Sequence, residues 1–355
     1  MPPKQNPLPE LIPNRVMYLR DLLRASLWES KIPLSVTISP ILDKPVSYEQ
    51  AAGLSFVPIQ PGQHFGEPFG AWQQAWFRVD VPAPQPGQTG RRYFFWDCRG
   101  ETVAYIDGQP WAGLDVAHGY CILPDRAVTL WLDCGTYQTC MWAPDTKEID
   151  QYGLLFEGAW TACRNLKNWE VFFDLDVLAE YLQMLLKRDG LENMVREWGP
   201  FPAADRAHPV LRQLLDMLDE AWMAWEMGGV EALAPALKRI YAALPAESWQ
   251  PKVTMVGHSH LDLVWMWPEI EGNRKAIHTI ATAQRLLDEY PQYRFMWTSP
   301  HVMKLVEEQF PQMYQDIKQR IKDGRWEATG APWVEFDTLL ATGEALGRSL
   351  VFFHA

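Results

Sequence analysis

The chain has 355 residues, long enough for two or three domains with a sizeable core. Its 48% hydrophobic and 21% charged residues are an ordinary balance for a soluble globular protein. A formal net charge of -12 without a Lys/Arg cluster argues against a nucleic-acid partner, and the lack of any run of about 18 apolar residues argues against a membrane span.

The five cysteines are Cys98, Cys121, Cys134, Cys140 and Cys163. They are odd in number and form no CxxC pair, so they imply no disulfide framework and fit a reduced compartment. The opening MPPKQNPLPELIPN has no apolar core of a secretory signal, and the default location is the cytoplasm. The 18 Trp are unusually many. An indole face suits the CH side of a sugar ring, but most of these Trp read as core or half-buried sheet residues.

In chain order, residues 14–30 read as a helix, with Val16, Leu19, Leu22, Leu23 and Leu27 near helical spacing. Residues 1–33 form a helix and arm. From about residue 33 short alternating runs take over, at 75–82, 92–98, 102–108, 127–133 and 136–142. The run at 102–108 ends in Asp107-Gly108, a hairpin signal. This texture predicts an antiparallel β-sandwich over 34–170, of jelly-roll or galactose-binding-like type. Its expected role is structural support rather than sugar binding. Residues 171–250 return to helical period and form a helical linker. Leu175, Leu178, Leu182 and Leu185 share one helix face, and further helices are expected at 209–227 and 230–244.

From about residue 251 to 355 the pattern alternates strand and helix, which calls for a parallel sheet. Its first strand is an apolar run at 253–256, expected to be buried. Later strands fall at 293–299 and 325–330. The helix at 302–323 is interrupted by Pro311. All strands of such a sheet end at one edge, where α/β folds bind ligands.

His258, His260 and Asp262 follow the first strand at alternate positions. Imidazole and carboxylate at a strand end are donors for a divalent metal. The HxHxD pattern alone is moderately specific. It also serves as a hydrogen-bonded His pair, and it occurs in unrelated metal hydrolases. A metallo-β-lactamase pattern is set aside, because Leu263 stands where a His is needed.

Several ordered segments carry a resemblance: GHSHLDLVWMWP at 257–268, QRLLDEYP at 284–291, KDGRWE at 322–327, GAPWVEFD at 330–337 and GE at 343–344. Upstream, FGAW at 69–72, AWFR at 75–78, WD at 96–97, IDG at 106–108 and FDLD at 173–176 extend it. Together they resemble the N-terminal portion of glycoside hydrolase family 38 α-mannosidases of the bacterial and cytosolic branch. The resemblance implies a multidomain β plus α/β protein: sandwich, helical linker, and the start of a seven-stranded (β/α) catalytic domain. It implies a zinc-dependent, retaining hydrolysis of terminal α-mannosides. His260, Asp262 and Asp337 are then metal ligands for Zn²⁺, or for Co²⁺ or another divalent ion. Asp337 is also the nucleophile, and Trp265 stacks on the sugar. His258 matches a non-ligand position.

Retention requires a nucleophilic carboxylate and a separate acid about 5–5.5 Å apart. Trp267 reads as packing, Glu335 as structural and His301 as a surface or helix-start residue. The loop after Asp337 reads TLLATGE at 338–344, where many relatives carry a CNLPSGE-type run, so the sugar subsite is expected to differ. The family's fourth zinc ligand and general acid fall later than Ala355, so the chain alone is expected to be inactive and aggregation-prone. The expected partner is a mannose-containing oligosaccharide, with no nucleic acid and no membrane; a homo-oligomer stays open. The alternatives are a non-catalytic carbohydrate-binding or scaffold protein and a different metal hydrolase such as a deacetylase.

Overall fold

The computed structural model describes residues 11–67, 72–85, 90–138, 152–191, 208–244, 253–265, 267–330, 332–335 and 337–354. Cys140, most of the FGAW segment and the end of the strand expected at 136–142 lie outside them. The helices are α1 Ile12–Ala25, α2 Tyr48–Ala51, α3 Leu166–Arg188, α4 Pro209–Ala243, α5 Glu269–Glu289, α6 Pro300–Gln309, α7 Pro311–Lys322 and α8 Gly343–His354. The strands are β1 Trp28–Pro33, β2 Val36–Ile38, β3 Val57–Ile59, β4 Gln63–Phe65, β5 Gln74–Val81, β6 Arg92–Asp97, β7 Gly100–Ile106, β8 Gln109–Leu114, β9 Tyr120–Ile122, β10 Val128–Gln138, β11 Leu154–Phe156, β12 Gly158–Arg164, β13 Gly257–His258, β14 Phe295–Trp297 and β15 Trp326–Ala328. The chain divides into two units, Met1–Ser30 with Cys163–Lys252, and Lys31–Ala162 with Val253–Ala355.

The first unit is helical. Leu19 and Leu23 of α1, Leu175, Leu178 and Leu182 of α3, and Leu214, Leu218 and Leu237 of α4 are buried in one apolar core. Helix α1 stops at Ala25, earlier than its periodicity predicts. The Ser26 hydroxyl donates to the Leu23 carbonyl at 2.8 Å, and the chain then turns into β1. Helix α3 starts at Leu166, where the Asn165 side chain accepts from the Asn168 amide. The two helices expected at 209–227 and 230–244 are both present; labelled together as α4, they meet at a kink where Gly228 and Gly229 leave helical geometry, Gly229 at φ 58°.

The second unit holds the sandwich and the parallel sheet. One sandwich sheet has the order β1-β12-β6-β9, the other β3-β2-β5-β10-β7-β8, and β11 pairs with β4. Strand β5 shows why the sequence folds so: Ala75, Phe77 and Val79 face the sandwich core, and Arg78 and Asp80 are exposed. Asp107 and Gly108, both at positive φ, make the tight turn between β7 and β8. The strand expected at 127–133 and the described start of the one expected at 136–142 form one long strand, β10, with a register shift between Cys134 and Gln138.

The outer face of the larger sheet is also apolar. Trp76, Val103 and Tyr105 share a core with Ile277, Ile280 and Ala281 of α5 and with Phe295 and Trp326 of the parallel sheet. Arg274 of α5 pairs with Asp133 and, at 2.8 Å, with Glu271. Lys275 pairs with Glu101, and the Gly113 amide donates to the Thr282 hydroxyl at 2.9 Å. A Cβ at Gly113 would lie 2.4 Å from the His278 ring, so the close approach of β8 to α5 requires glycine there.

The parallel sheet has the order β13-β14-β15, with Gly257 opposite Phe295 and Phe295 opposite Trp326. The C-terminal ends of all three strands therefore share one edge. One expectation is corrected: residues 253–256 are not a buried strand. The strand is Gly257–His258, and Val253, Met255 and Val256 are 75%, 88% and 47% exposed. Among the described residues strand β13 sits at the sheet margin with one neighbour, so an apolar run there is not covered as an interior strand would be.

Candidate active site

Three loops meet at the C-terminal edge of the parallel sheet. After β13 comes the loop with His260 and Asp262; after β14 come Thr298, Ser299 and His301; after β15 come Trp333 and Glu335. They line a cavity of about 400 Å³. The loop after β13 is held closely. A Cβ at Gly272, in the first turns of α5, would fall 1.8 Å from the Leu263 carbonyl oxygen, so only glycine lets the helix approach. The Trp267 indole donates to the Asp262 carbonyl at 2.8 Å and lies under the Lys275 ammonium, 4.4 Å from the ring centre. Gly330, at φ 91°, brings the loop after β15 against the Thr298 carbonyl.

His260 is the centre of the polar cluster. Its Nδ1 lies 2.7 Å from Glu335 Oε2, and its Nε2 lies 3.3 Å from Asp262 Oδ1. The Thr298 hydroxyl donates to the other Glu335 oxygen. The hydrogen bond with Glu335 raises the His260 pKa above its ordinary value against the opposing effect of burial. Burial pushes the Glu335 carboxyl up, but the Thr298 and His260 hydrogen bonds outweigh it and hold the group below the usual range.

The other assigned residues lie elsewhere. Asp337 is exposed; its Oδ1 accepts from the Leu339 amide at 2.8 Å, and its carbonyl accepts from Leu340 and Ala341 in a turn. Trp265 is 48% exposed and meets Trp267 edge to face at 5.3 Å. Neither lines the cavity. Of the three residues assigned to a metal, His260 and Asp262 are adjacent and Asp337 is engaged with its own loop. Among the described residues no group of three or more His, Cys, Asp and Glu side chains is arranged to hold a metal ion. His258 Nδ1 lies 3.4 Å from the Met296 carbonyl, and His301 stands in the first turn of α6 against Trp333.

Sequence reasoning passed over Thr298 and the hydrogen bonds of Glu335. The available signal was position: Thr298 directly follows β14 and Glu335 lies in the loop after β15, on the edge that already carried His260.

Residues 250–354 match the N-terminal domain of the glycosyl hydrolases family 38, and residues 32–135 match an α-mannosidase jelly-roll domain. Two regions of the chain are thus similar to the N-terminal and jelly-roll domains of family 38 α-mannosidases. Human alpha-mannosidase 2C1 is 26% identical over 356 residues, covering 94% of this chain and 32% of that protein. Alpha-mannosidase G of Dictyostelium discoideum is 23% identical, covering 91% and 29%. The alpha-mannosidase of Saccharomyces cerevisiae is 23% identical, covering 81% and 27%. The chain thus spans about a third of the length of the curated relatives it matches. A solved Ruminococcus gnavus β-glucuronidase aligns with 38% of this chain and 28% of its own, at 10% identity and TM-score 0.26, a likeness too slight to bear on the fold. No helix among the described residues is long and apolar enough to cross a membrane.

Proposed function

We propose that this chain serves the hydrolysis of terminal α-mannosides in oligosaccharides, in a zinc-dependent reaction with retention. The observation that carries the reading is the His260–Asp262 pair beside a cavity at the strand-end edge, inside the region that matches the family 38 domain.

The donor pair fits a divalent cation in kind and in spacing. Two ligands at about 2.0–2.1 Å from a tetrahedral ion stand about 3.3–3.4 Å apart, and Nε2 and Oδ1 are 3.3 Å apart. We assign His260, Asp262 and Asp337 to hold Zn²⁺, with Co²⁺ as a substitute. When bound, the ion supplies Lewis-acid polarisation and a grip on sugar hydroxyls. Asp337 is the proposed nucleophile, and Trp265 the apolar platform for the ring. Glu335 is not assigned as the general acid, because its two oxygens are engaged by the Thr298 hydroxyl and the His260 ring. We place the protein in the cytoplasm; the buried, unbridged thiols of Cys98, Cys121 and Cys134 support a reducing compartment.

A second reading, a non-catalytic carbohydrate-binding protein, draws on one observation: the Asp337 carboxylate is turned to the Leu339 amide. Assay of the natural protein on an aryl α-mannoside separates the two. The first reading expects turnover that Asp337→Ala and Asp262→Ala abolish. Saturable mannoside binding without turnover supports the second.

A further inference from the structure

We propose that Glu335 is the positioning residue of this site: it fixes the His260 ring in the Nδ1–H tautomer and aims the Nε2 lone pair at the space beside Asp262. The structural role read from sequence thereby gains a specific content. An ionised carboxylate accepts hydrogen bonds and donates none. With Glu335 Oε2 at 2.7 Å, His260 Nδ1 must carry the hydrogen. In the neutral ring Nε2 is then an acceptor.

That leaves two acceptors, Nε2 and Asp262 Oδ1, facing each other at 3.3 Å. Two lone pairs at that distance repel unless a positive charge lies between them. An imidazolium hydrogen or a metal cation meets this need. Glu335 is the device that creates it, because a ring free to adopt the other tautomer would donate from Nε2 to Asp262 and close the position to a cation.

The carboxylate is itself fixed. One oxygen takes the Thr298 hydroxyl at the end of β14, and the other takes His260 in the loop after β13, while Glu335 sits in the loop after β15. One side chain thus ties together the ends of all three parallel strands. Carboxylates that orient metal-binding histidines act in this way, and their loss typically weakens metal affinity about 10- to 100-fold.

The consequence for metal affinity rests on the zinc reading above; the tautomer does not. Nitrogen-15 NMR of the metal-free chain near pH ~9, where a histidine ring is neutral, reads the tautomer directly. The His260 signals are identified by their loss in His260→Gln. The parent is expected to show a protonated Nδ1 and an unprotonated Nε2, and Glu335→Ala a shift toward protonated Nε2. Co²⁺ titration, with the cobalt visible spectrum as readout, is expected to show a 10- to 100-fold weaker site in Glu335→Ala. Glu335→Gln, which keeps an acceptor oxygen, is expected to recover part of that loss. Circular dichroism confirms that the variants fold. An unchanged tautomer in Glu335→Ala overturns the proposal, as does Co²⁺ affinity within twofold of a parent that binds. A parent that shows the tautomer but binds no Co²⁺ leaves Glu335 as the orienting group and removes the zinc reading instead.

Discussion

The two faces of α5 meet very different surroundings. Toward the sandwich, its charges are buried: Arg274, Asp133 and Glu271 have side chains 15%, 7% and 8% exposed. Toward the strand ends, the loop it supports carries His260 and Asp262 at 63% and 45% exposed. The first region is closed by paired charges and tight glycine contacts, the second by a few hydrogen bonds around a cavity. The seam supplies rigidity, and the strand-end cluster is left accessible for chemistry. Gly272 joins them, because it brings the first turns of α5 onto the Leu263 carbonyl.

This contrast can be broken at several points. The largest effect is expected at Arg274. Burial opposes its charge, but Asp133 and Glu271 outweigh that and keep it firmly protonated. Arg274→Met leaves two buried carboxylates unpaired and should cost about 3–5 kcal/mol in urea unfolding. A loss below about 1 kcal/mol would mean that the seam behaves as a surface pair. Next, Gly272→Ala should cost about 1–3 kcal/mol by overpacking, and chemical-shift changes should reach His260 although the sandwich is untouched.

The seam should also titrate at Asp115, which follows β8 and faces His278 of α5 at 3.5 Å. Burial pushes the Asp115 carboxyl up, but the hydrogen bonds with His118, helped by neighbouring histidine charge, hold it at about 2. A carboxyl held low stabilises the fold above its unfolded value near pH ~4, and that contribution is lost as pH falls toward ~2. His118, raised by the same contact, acts oppositely: its contribution is present below pH ~6.5 and is lost as pH rises through its raised value. Asp115→Asn should therefore remove about 1–2 kcal/mol of stability at pH 5 and flatten the loss on acidification. Urea midpoints from pH 5 to 2 would show it. A parallel acid dependence in the variant would exclude Asp115. The smallest effect on stability is expected at Trp265, half exposed. Trp265→Ala should stay within about 0.5 kcal/mol of the parent, while raising KM for α-mannosides in the natural protein. A large loss of stability with unchanged KM would recast it as packing.

Much of this was legible before the structure. The alternation of β5, the Asp107-Gly108 turn and the leucine spacing of α3 follow directly from side-chain period. So does the order of strands and helices that brings three strand ends to one edge. Other features depend on neighbours distant in sequence. Residues 253–256 are as apolar as an interior strand, but burial depends on what lies on both sides, and among the described residues β13 has one partner. At the site, His260 and Asp262 stood out as chemical types at strand-end spacing. Glu335 did not, because its importance lies in reaching His260 and Thr298 from 75 and 37 positions away.

The proposed cation site joins His260, Asp262 and Asp337 at the strand-end edge. Calorimetric titration of the metal-depleted natural protein with Zn²⁺, repeated for His260→Ala, Asp262→Ala and Asp337→Ala, tests it most directly. One equivalent is expected to bind to the parent, with that site lost in the first two variants and affinity weakened at least tenfold in the third. Binding that is absent in the parent, or that survives unchanged in Asp262→Ala and Asp337→Ala alike, would contradict it.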